Sequence, residues 1–386
     1  MDIKLFIGML KDKHFYDLNK LKYKYGDSIC EFLENLKEFY YKEIKLIDFY
    51  GEKIVYTDNH TAVSLKTIKQ LFFEQSQKLA VKSTEEEIIS TYAIENIDLS
   101  RESVRNILKG FAPANEQENR ILGLKKGFEF ISDVKNRINE ENLYKLYMMC
   151  VGDFLPEEDR LQTGYLYRHD SVFIVSDRVE HQGLDYRKIS VYMEALMDFI
   201  NEDDSIGDLE KACIIHFYIA YIHPYFDGNG RIARLLHLWF LIQKGYQSAL
   251  FVPFSSEIEK SRKAYYNAFT LIEENRKISG KTDVTPIISY FTENVYNKFS
   301  EISGIADTLE AYRYMLKDGR VTEKEKKLWT FVLSYYGTEE FSTKMLERDF
   351  ADAAYATIRD FVLKFEASDL LVAVKYGNRV KYRVRR

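Results

Sequence analysis

The sequence predicts a mainly α-helical protein with a short β-hairpin near its middle and a winged-helix domain at its C-terminal end. Apolar residues recur with helical spacing through most of the 386 residues. Only five prolines are present, so long irregular linkers have little room. Near the end, three short helical patterns are followed by two alternating ones, which is the order of elements in a winged helix.

Local signals predict the elements of the first third of the chain. The first 80 residues are rich in Lys, Tyr and Phe and predict no function. β-Prone residues around Gly51 favour a small hairpin between Asp48 and Val63. Further on, Thr84 and Glu87 have the spacing of a capping box, which predicts a helix that opens there and continues to Glu95.

The middle of the chain predicts buried helices with one interruption. Residues 209–222 are apolar nearly all round, which marks a buried helix, and the apolar residues after Arg234 predict a second one. Before them, Gly164 and the β-prone run at 171–175 favour a hairpin or flap. A further helix is expected at 255–274.

The tail predicts three helices and a basic hairpin. We expect helices at 323–335, 342–350 and 354–365 and strands at 370–374 and 379–384. The hairpin region carries the cations Lys375, Arg379, Lys381, Arg383, Arg385 and Arg386. Such a wing favours DNA binding through phosphate contacts. The whole chain, however, has 60 acidic and 55 basic residues, so a protein-docking or dimerising module is an equal alternative.

Length and composition bound the organisation. The chain suits two to three domains, which we place at 1–110, with a functional helix at about 85–96, at 111–305 as a helical core, and at 306–386 as the winged helix. No run of 18 apolar residues and no secretory signal pattern is present, so we expect no membrane segment. The three cysteines lack CxxC spacing and read as neutral thiols in a reducing compartment, so the cytoplasm is the expected location.

One run of twelve residues carries the chemistry of a phosphate site: His223-Pro224-Tyr225-Phe226-Asp227-Gly228-Asn229-Gly230-Arg231-Ile232-Ala233-Arg234. A helix is expected to begin near Asn229, and its unpaired first N–H groups attract anions. Gly228 and Gly230 leave room for a nest of N–H donors. Asp227 is an oxygen ligand suited to Mg²⁺, and His223 can accept a hydroxyl proton.

This run resembles the motif of the Fic family, His-Pro-(Phe/Tyr)-x-(Asp/Glu)-Gly-Asn-Gly-Arg-x-x-Arg, and every fixed position is matched. The resemblance extends over about residues 85–300. It implies a helical Fic-type core with a β-hairpin flap. It also implies transfer of AMP from ATP to a hydroxyl of a target protein, with release of pyrophosphate.

The resemblance also implies roles for single residues of the motif. His223 would be the general base on a Ser, Thr or Tyr hydroxyl of the target. Asp227 would hold Mg²⁺ between the α- and β-phosphates of ATP. Arg231 would contact the pyrophosphate leaving group, and Arg234 would hold the γ-phosphate. Such transfer depends mainly on positioning and on stabilising charge, which these residue types supply.

Further contacts to ATP and to the target follow from the same resemblance. Asn229 and the amides of Gly228 and Gly230 would bind phosphate oxygens. Tyr266 resembles an aromatic residue that lines the nucleotide pocket, although helix packing explains it equally well. The flap residues Val172, Phe173 and Ile174 would dock an extended target segment by backbone pairing. The spacing from Gly164 to Arg168 is one residue longer than is usual in the family.

A second run, from Thr91 to Asn96, resembles the inhibitory motif of the family, (Ser/Thr)-x-x-x-Glu-(Gly/Asn). Thr91 and Glu95 are four apart and face the same side of a helix. The resemblance implies that Glu95 pairs with Arg234, displaces the γ-phosphate and leaves ATP in a nonproductive pose. A surface helix with a solvated glutamate is the alternative.

Other functions on the same scaffold remain open from the sequence. These are transfer of another phosphate or nucleotide group, removal of AMP from a target, and DNA-binding regulation through the winged helix. A homodimer is also open. His216, His237 and Trp239 lie on apolar helices and are interpreted as packing residues.

Overall fold

The structure, a computed structural model, is mainly α-helical, which confirms the fold class predicted from the sequence. It describes residues 1–60, 62–64, 67–68, 71, 80–175, 180–202, 205–252, 254–302, 306–336, 340–377 and 379–385. No described helix is both long enough and apolar enough to cross a membrane.

Helices make up most of the described chain. They are α1 Ile3–Leu10, α2 Leu18–Tyr25, α3 Ser28–Asn35, α4 Ala80–Ile94, α5 Arg101–Leu108, α6 Glu116–Ser132, α7 Glu140–Cys150, α8 Ile189–Asn201, α9 Asp208–Ile222, α10 Asn229–Gln243, α11 Phe254–Lys260, α12 Arg262–Ser279, α13 Thr285–Phe291, α14 Asn297–Ile302, α15 Ala306–Lys317, α16 Glu323–Phe331, α17 Thr343–Phe350 and α18 Tyr355–Ala367.

The described strands form three separate antiparallel hairpins. The pairs are β1 Lys42–Ile47 with β2 Lys53–Tyr56, β3 Phe173–Val175 with β4 Glu180–Gln182, and β5 Leu371–Tyr376 with β6 Arg379–Val384. The first two lie at other positions than predicted. The first hairpin has Gly51 in its turn, but its strands begin at Lys42 rather than after Asp48. The second, the flap, begins at Phe173 and runs to Gln182.

In the part of the chain that the structure describes, buried apolar residues form three clusters. A small one lies in the first helices, between Met9 and Leu36. The largest extends from Ile44 to Phe299, and the third, from Met315 to Val384, belongs to the C-terminal helices and hairpin. Tyr92 shares the largest cluster with the central helices. The domain boundary at residue 110 stays a prediction.

Helices α9 and α10 lie at the centre of the largest cluster. Both are apolar nearly all round in sequence, and most of their residues are buried, as predicted. They pack against each other and are joined by the loop 223–228. The loop therefore stands on two helices that are fixed over their whole length, which makes it a rigid support for a site.

Two predicted helix boundaries are wrong. The helix α4 begins at Ala80 rather than at Thr84, so Thr84 lies inside the helix and caps nothing. The segment predicted as one helix from 255 to 274 is divided into α11 and α12 at Ser261, whose hydroxyl donates to the Glu257 carbonyl. Ser100 caps α5, with its hydroxyl oxygen accepting from the Ser103 N–H.

The C-terminal cluster contains the three helices and the hairpin expected there, in the predicted order. Thr322 and Glu325 form a capping box at the start of α16. The strands β5 and β6 pair over their whole length from Leu371–Val384 to Tyr376–Arg379. Asn378, in the predicted turn, lies outside the described residues.

Candidate active site

The loop between α9 and α10 holds two residues in the left-handed region. His223 ends α9 with φ 54° and ψ 62°, and Gly228 precedes α10 with φ 76°. A Cβ at Gly228 would lie 2.5 Å from a methyl carbon of Val151, so only glycine fits there. His223 is different, because a non-glycine residue is uncommon in this region and persists there only where its neighbours hold it.

Asn229 braces the same loop from inside. Its side-chain oxygen accepts from the Tyr225 N–H at 3.0 Å, and its amide nitrogen donates to the Tyr225 carbonyl at 2.8 Å. Asn229 is buried. One amide hydrogen and the backbone N–H remain for a phosphate, so the predicted phosphate contact of this side chain stays a prediction.

The N-terminus of α10 faces a carboxylate. A Cβ at Gly230 would lie 3.2 Å from Oε1 of Glu95 and 3.2 Å from a guanidinium nitrogen of Arg234. The absence of a side chain at Gly230 thus lets an anionic group approach the first turn of the helix. That position is favourable for negative charge because of the helix dipole and the unpaired N–H groups.

Glu95 bridges both arginines of the motif. Its Oε1 lies 2.7 Å from Nη2 of Arg234, and its Oε2 lies 2.8 Å from Nε of Arg231. Both guanidinium groups are almost fully buried, while the Glu95 side chain keeps 21% of its exposure. The resemblance to the inhibitory motif implies contact with Arg234 alone, so the second contact is new.

Thr91 reaches the same arginine one helical turn earlier. Nε of Arg234 donates to the Thr91 hydroxyl at 2.6 Å, and Nη2 donates to the Thr91 carbonyl at 3.0 Å. All donors of Arg234 that have a described partner therefore point to α4 and the turn that follows it. The i, i+4 spacing of Thr91 and Glu95 brings both groups to one guanidinium.

The turn after α4 explains the last position of the second motif. Asn96 has φ 59°, a conformation that glycine and asparagine adopt more readily than other residues. Its side-chain oxygen accepts from Arg262 at 2.8 Å, and the same guanidinium nitrogen donates to the Ala93 carbonyl at 3.1 Å. Arg262 thereby fixes the end of α4, which the sequence did not predict.

Glu87 is the second residue of the predicted capping box, and this prediction is wrong for Glu87 as well. Its carboxylate is buried and accepts from the backbone N–H of Ser255, at 2.8 Å, and from the Ser255 hydroxyl. It therefore binds the start of α11 and does not cap its own helix. Glu87, Thr91 and Glu95 are spaced by four, and this repeat along one helical face is the signal that could have revealed it.

Burial dominates the titration of Glu87. Removal from water raises the pKa of Glu87 from 4.5 to about 7, although the hydrogen bonds from Ser255 and the charge of Arg234 lower it. The group therefore changes its charge near neutral pH while it holds α4 against α11.

The pKa of His223 is shifted downward, opposite to the pKa of Glu87. Burial lowers the pKa of His223 to about 4, and the charge of Arg168 lowers it further, while a hydrogen bond to the Ala220 carbonyl and the charge of Asp227 oppose the change. The imidazole is thus neutral at physiological pH. A neutral imidazole keeps one of its two ring nitrogens as a proton acceptor.

Asp227 lies at the rim of the loop. Its Oδ1 accepts from the Gly228 N–H at 2.6 Å, and its Oδ2 lies 3.0 Å from Nη2 of Arg231. Its side chain is 58% exposed. Among the described residues, no cluster of three or more His, Cys, Asp or Glu could hold a metal ion. One exposed carboxylate fits Mg²⁺ only where phosphate oxygens supply further ligands.

Tyr266 does not pack in the core. It is 46% exposed, whereas its neighbour Tyr265 is buried. Tyr265 pairs with His216 at 2.8 Å, and His237 pairs with Tyr296 at 2.6 Å, so both histidines are buried packing residues. Trp239 is also buried, which agrees with its interpretation as a packing residue.

The predicted flap residues lie at the start of the hairpin. Val172 directly precedes β3, and its carbonyl accepts from the Gly183 N–H at 3.0 Å. Phe173 and Ile174 pair with Gln182 and His181 in β3 and β4. The backbone at 176–179, at the tip, lies outside the described residues.

The assembled groups suit transfer of a phosphate-containing group. A neutral imidazole, an exposed carboxylate, two buried guanidinium groups and the first turn of a helix converge on one loop. Together they can accept a proton and stabilise the negative charge that develops on phosphate oxygens. Glu95 pairs with both guanidinium groups.

The chain is similar to known proteins of one family. Residues 137–241 match the Fic/DOC family. Over 183 residues the chain is 24% identical to the protein adenylyltransferase Fic of Drosophila willistoni, which covers 46% of this chain and 32% of that protein. Over 136 residues it is 30% identical to the protein of the same name from Nematostella vectensis, covering 34% and 30%. The chain spans less than half the length of these curated relatives.

Solved structures share the fold. A Fic family protein from Desulfovibrio desulfuricans superposes with a TM-score of 0.51 at 17% identity, over 84% of this chain and 97% of that one. A Fic-domain signaling protein from Bacteroides thetaiotaomicron superposes with a TM-score of 0.50 at 17% identity, over 61% and 94%.

Proposed function

We propose that this chain, whose residues 137–241 match the Fic/DOC family, is an autoinhibited protein adenylyltransferase that moves AMP from ATP to a Ser, Thr or Tyr hydroxyl of a target protein. The observation that carries the proposal is the convergence of neutral His223, the N-terminus of α10 and two buried arginines on one loop. The names of the curated relatives support the same reaction.

In the proposed reaction the target hydroxyl oxygen attacks the α-phosphorus of ATP. A new oxygen–phosphorus bond forms, the bond from the α-phosphorus to the bridging oxygen breaks, and pyrophosphate leaves. The hydroxyl proton passes to the free ring nitrogen of His223. Because His223 is held neutral by burial, it is ready to take this proton at physiological pH.

The phosphates of ATP would lie at the N-terminus of α10. The backbone N–H groups at Asn229 and Gly230 would donate to phosphate oxygens, and Arg231 and Arg234 would neutralise the β- and γ-phosphates. Asp227 would hold Mg²⁺ together with phosphate oxygens, and the metal would lower the charge on them. Among the described residues, no group of three or more His, Cys, Asp or Glu could hold the metal without such phosphate oxygens.

The flap hairpin would present the target. Its backbone runs as two short strands beside the loop, which suits pairing with an extended segment of another protein. A Ser, Thr or Tyr of that segment would then face His223. Analysis of a modified target by mass spectrometry tests the reaction class, because added AMP and added phosphate differ in mass. Removal of AMP from a labelled target would favour the reverse reaction.

Glu95 would act as an internal competitor of the γ-phosphate. Its carboxylate contacts both motif arginines and lies beside the first turn of α10, where an anionic ligand is favoured. ATP can bind with its γ-phosphate on Arg234 only after this carboxylate leaves. Thr91, Asn96 with Arg262, and Glu87 with Ser255 would hold α4 in the blocking position.

The pH dependence of inhibition follows from Glu87. When α4 is docked, the pKa of Glu87 is about 7. After release of α4, the pKa of Glu87 returns to its ordinary value near 4.5. Docking therefore takes up a proton and becomes less favourable as the pH rises from 4.5 to 7. We expect the transfer rate of wild type, divided by that of Glu95→Gly, to rise ~10- to 100-fold across this window and to level off above it.

Glu87→Gln is the control for this prediction. Glutamine keeps the size and the acceptor oxygen but does not titrate, so the ratio of rates should stay flat with pH. His223 does not produce the effect, since its pKa of about 4 leaves it neutral over most of the window. A ratio that is flat in wild type, or that changes equally in Glu87→Gln, would contradict the role of Glu87.

For the C-terminal domain we propose protein docking in preference to DNA binding. Among the described cations of the hairpin, Lys381 lies 3.8 Å from Glu340, and Arg385 pairs with Asp369. The exposed face of α18 carries Arg359 beside Asp360. Pairing and mixed charge weaken the attraction for phosphates.

We expect the full chain not to retain labelled duplex DNA at about 50 mM salt. Binding of the duplex is measured by fluorescence anisotropy while the salt concentration is raised from about 50 mM to about 200 mM. Binding that is tight at the low end and is lost over the series would restore the DNA-binding alternative, because phosphate contacts give that dependence.

A further inference from the structure

Arg168 is a buried cation that lies outside the catalytic motif. It stands between Gly164 and the flap, and its residue is only 2% exposed. Its three described side-chain hydrogen bonds all go to backbone carbonyls rather than to a carboxylate. A guanidinium has five donors in a fixed plane, so it can hold several carbonyls at set positions, which an ammonium cannot do.

One of these carbonyls belongs to His223. Nε of Arg168 donates to it at 2.8 Å, and the backbone N–H of Arg168 donates to the next carbonyl, that of Pro224, at 2.8 Å. His223 has φ 54° and ψ 62°, a left-handed conformation that is uncommon for a non-glycine residue. Such a conformation persists only where neighbouring groups fix it. Arg168 supplies two of the bonds that do so.

The other two carbonyls lie at the two ends of the flap. Nη1 donates to the Asp170 carbonyl at 2.7 Å, three residues before β3, and Nη2 donates to the Leu184 carbonyl, two residues after β4. Gly183 gives the guanidinium its space, since a Cβ there would lie 3.0 Å from Nη2. One side chain thus joins both ends of the flap to the backbone of the base.

We propose that Arg168 is a positioning residue, which holds the His223 ring and the flap in one arrangement so that a docked hydroxyl meets the base. This inference rests on the proposed function. In that reaction the flap sets the position of the attacking oxygen and His223 the position of the acceptor. Arg168 contacts both the flap and the backbone of His223. A change at Arg168 therefore alters the distance between the attacking oxygen and the His223 ring, and it leaves the phosphate-binding residues unchanged.

The test compares Arg168→Lys and Arg168→Met in the Glu95→Gly background, where inhibition is removed. Lysine keeps the charge but cannot reach three carbonyls, and methionine keeps only the volume. We expect kcat for AMP transfer to fall ~10- to 100-fold in both variants, as for other small misplacements of a reacting group. KM for the target protein should rise, whereas the ATP affinity measured by calorimetry should not change.

Arg160→Lys is the matched control. Arg160 also donates through Nε to a backbone carbonyl, that of Leu155, at 2.8 Å. Unlike Arg168, it is exposed, and this hydrogen bond joins it to neither His223 nor the flap. This variant should keep kcat and both KM values. If ATP affinity, melting temperature and kcat of the Arg168 variants all fell in step, Arg168 would be only structural and the proposal would be overturned.

Amide hydrogen exchange gives a readout that does not need activity. In Arg168→Met we expect faster exchange at the N–H of His223, bound to Ile219, and at the N–H of Gly183, bound to Val172. Unchanged exchange at both would overturn the proposal, even if Glu95→Gly transferred no AMP and the proposed function itself failed. Normal kcat in an active Glu95→Gly background would overturn it as well.

Discussion

Glu95→Gly is expected to raise the transfer of labelled AMP to protein, including self-modification, by ~5- to 150-fold, which corresponds to a coupling of ~1–3 kcal/mol. The reason is the double contact of Glu95 with Arg231 and Arg234. Removing the carboxylate frees two buried guanidinium groups for phosphates at the same place. The measurement is the rate of label incorporation from α-labelled ATP into a lysate and into the protein itself.

Two further variants make this result specific. Glu95→Gln keeps the size of the side chain but loses the charge, and it should also raise transfer. Glu86→Gln removes a carboxylate from the same helix that pairs instead with Arg101 at 2.6 Å, so it should leave the rate unchanged. Equal labelling by folded Glu95→Gly and wild type would refute the inhibitory role of Glu95.

His223→Ala, made in the Glu95→Gly background, is expected to lower transfer by ~10²- to 10⁴-fold, the range for a general base. The affinity for ATP should stay the same, because the proposal places the phosphates at the N-terminus of α10 and on Arg231 and Arg234 rather than on His223. Transfer is followed by label incorporation, and ATP binding by calorimetry.

The strained backbone of His223 requires a second variant. Alanine at φ 54° loses the side chain but also meets the left-handed conformation, whereas asparagine adopts it more readily. His223→Asn therefore separates loss of the base from distortion of the loop, and it should be as inactive as alanine. Full transfer by either variant would end the assignment of His223 as the base.

Much of the fold could be predicted because its signals are local. The all-round apolar pattern at 209–222 identifies a helix that can only be stable when buried, and α9 lies there. The order of glycines and Asn229 predicts the turn into α10, since backbone geometry restricts the residues allowed in it. The errors arose where local signals were ambiguous, as at Thr84, whose spacing to Glu87 fits a capping box that tertiary contacts override.

The sequence by itself determined the helical class, the two central helices, the loop that joins them and the residue types that a phosphate site needs, because each depends on neighbours within a few positions. Only the tertiary structure decided what these residues contact. Glu95 reaches Arg231 as well as the Arg234 that the resemblance implies, Glu87 and Ser255 are 168 residues apart, and Arg168 and His223 are 55 apart. Spacing along the chain carries no information on such pairs, since packing of separate helices brings them together.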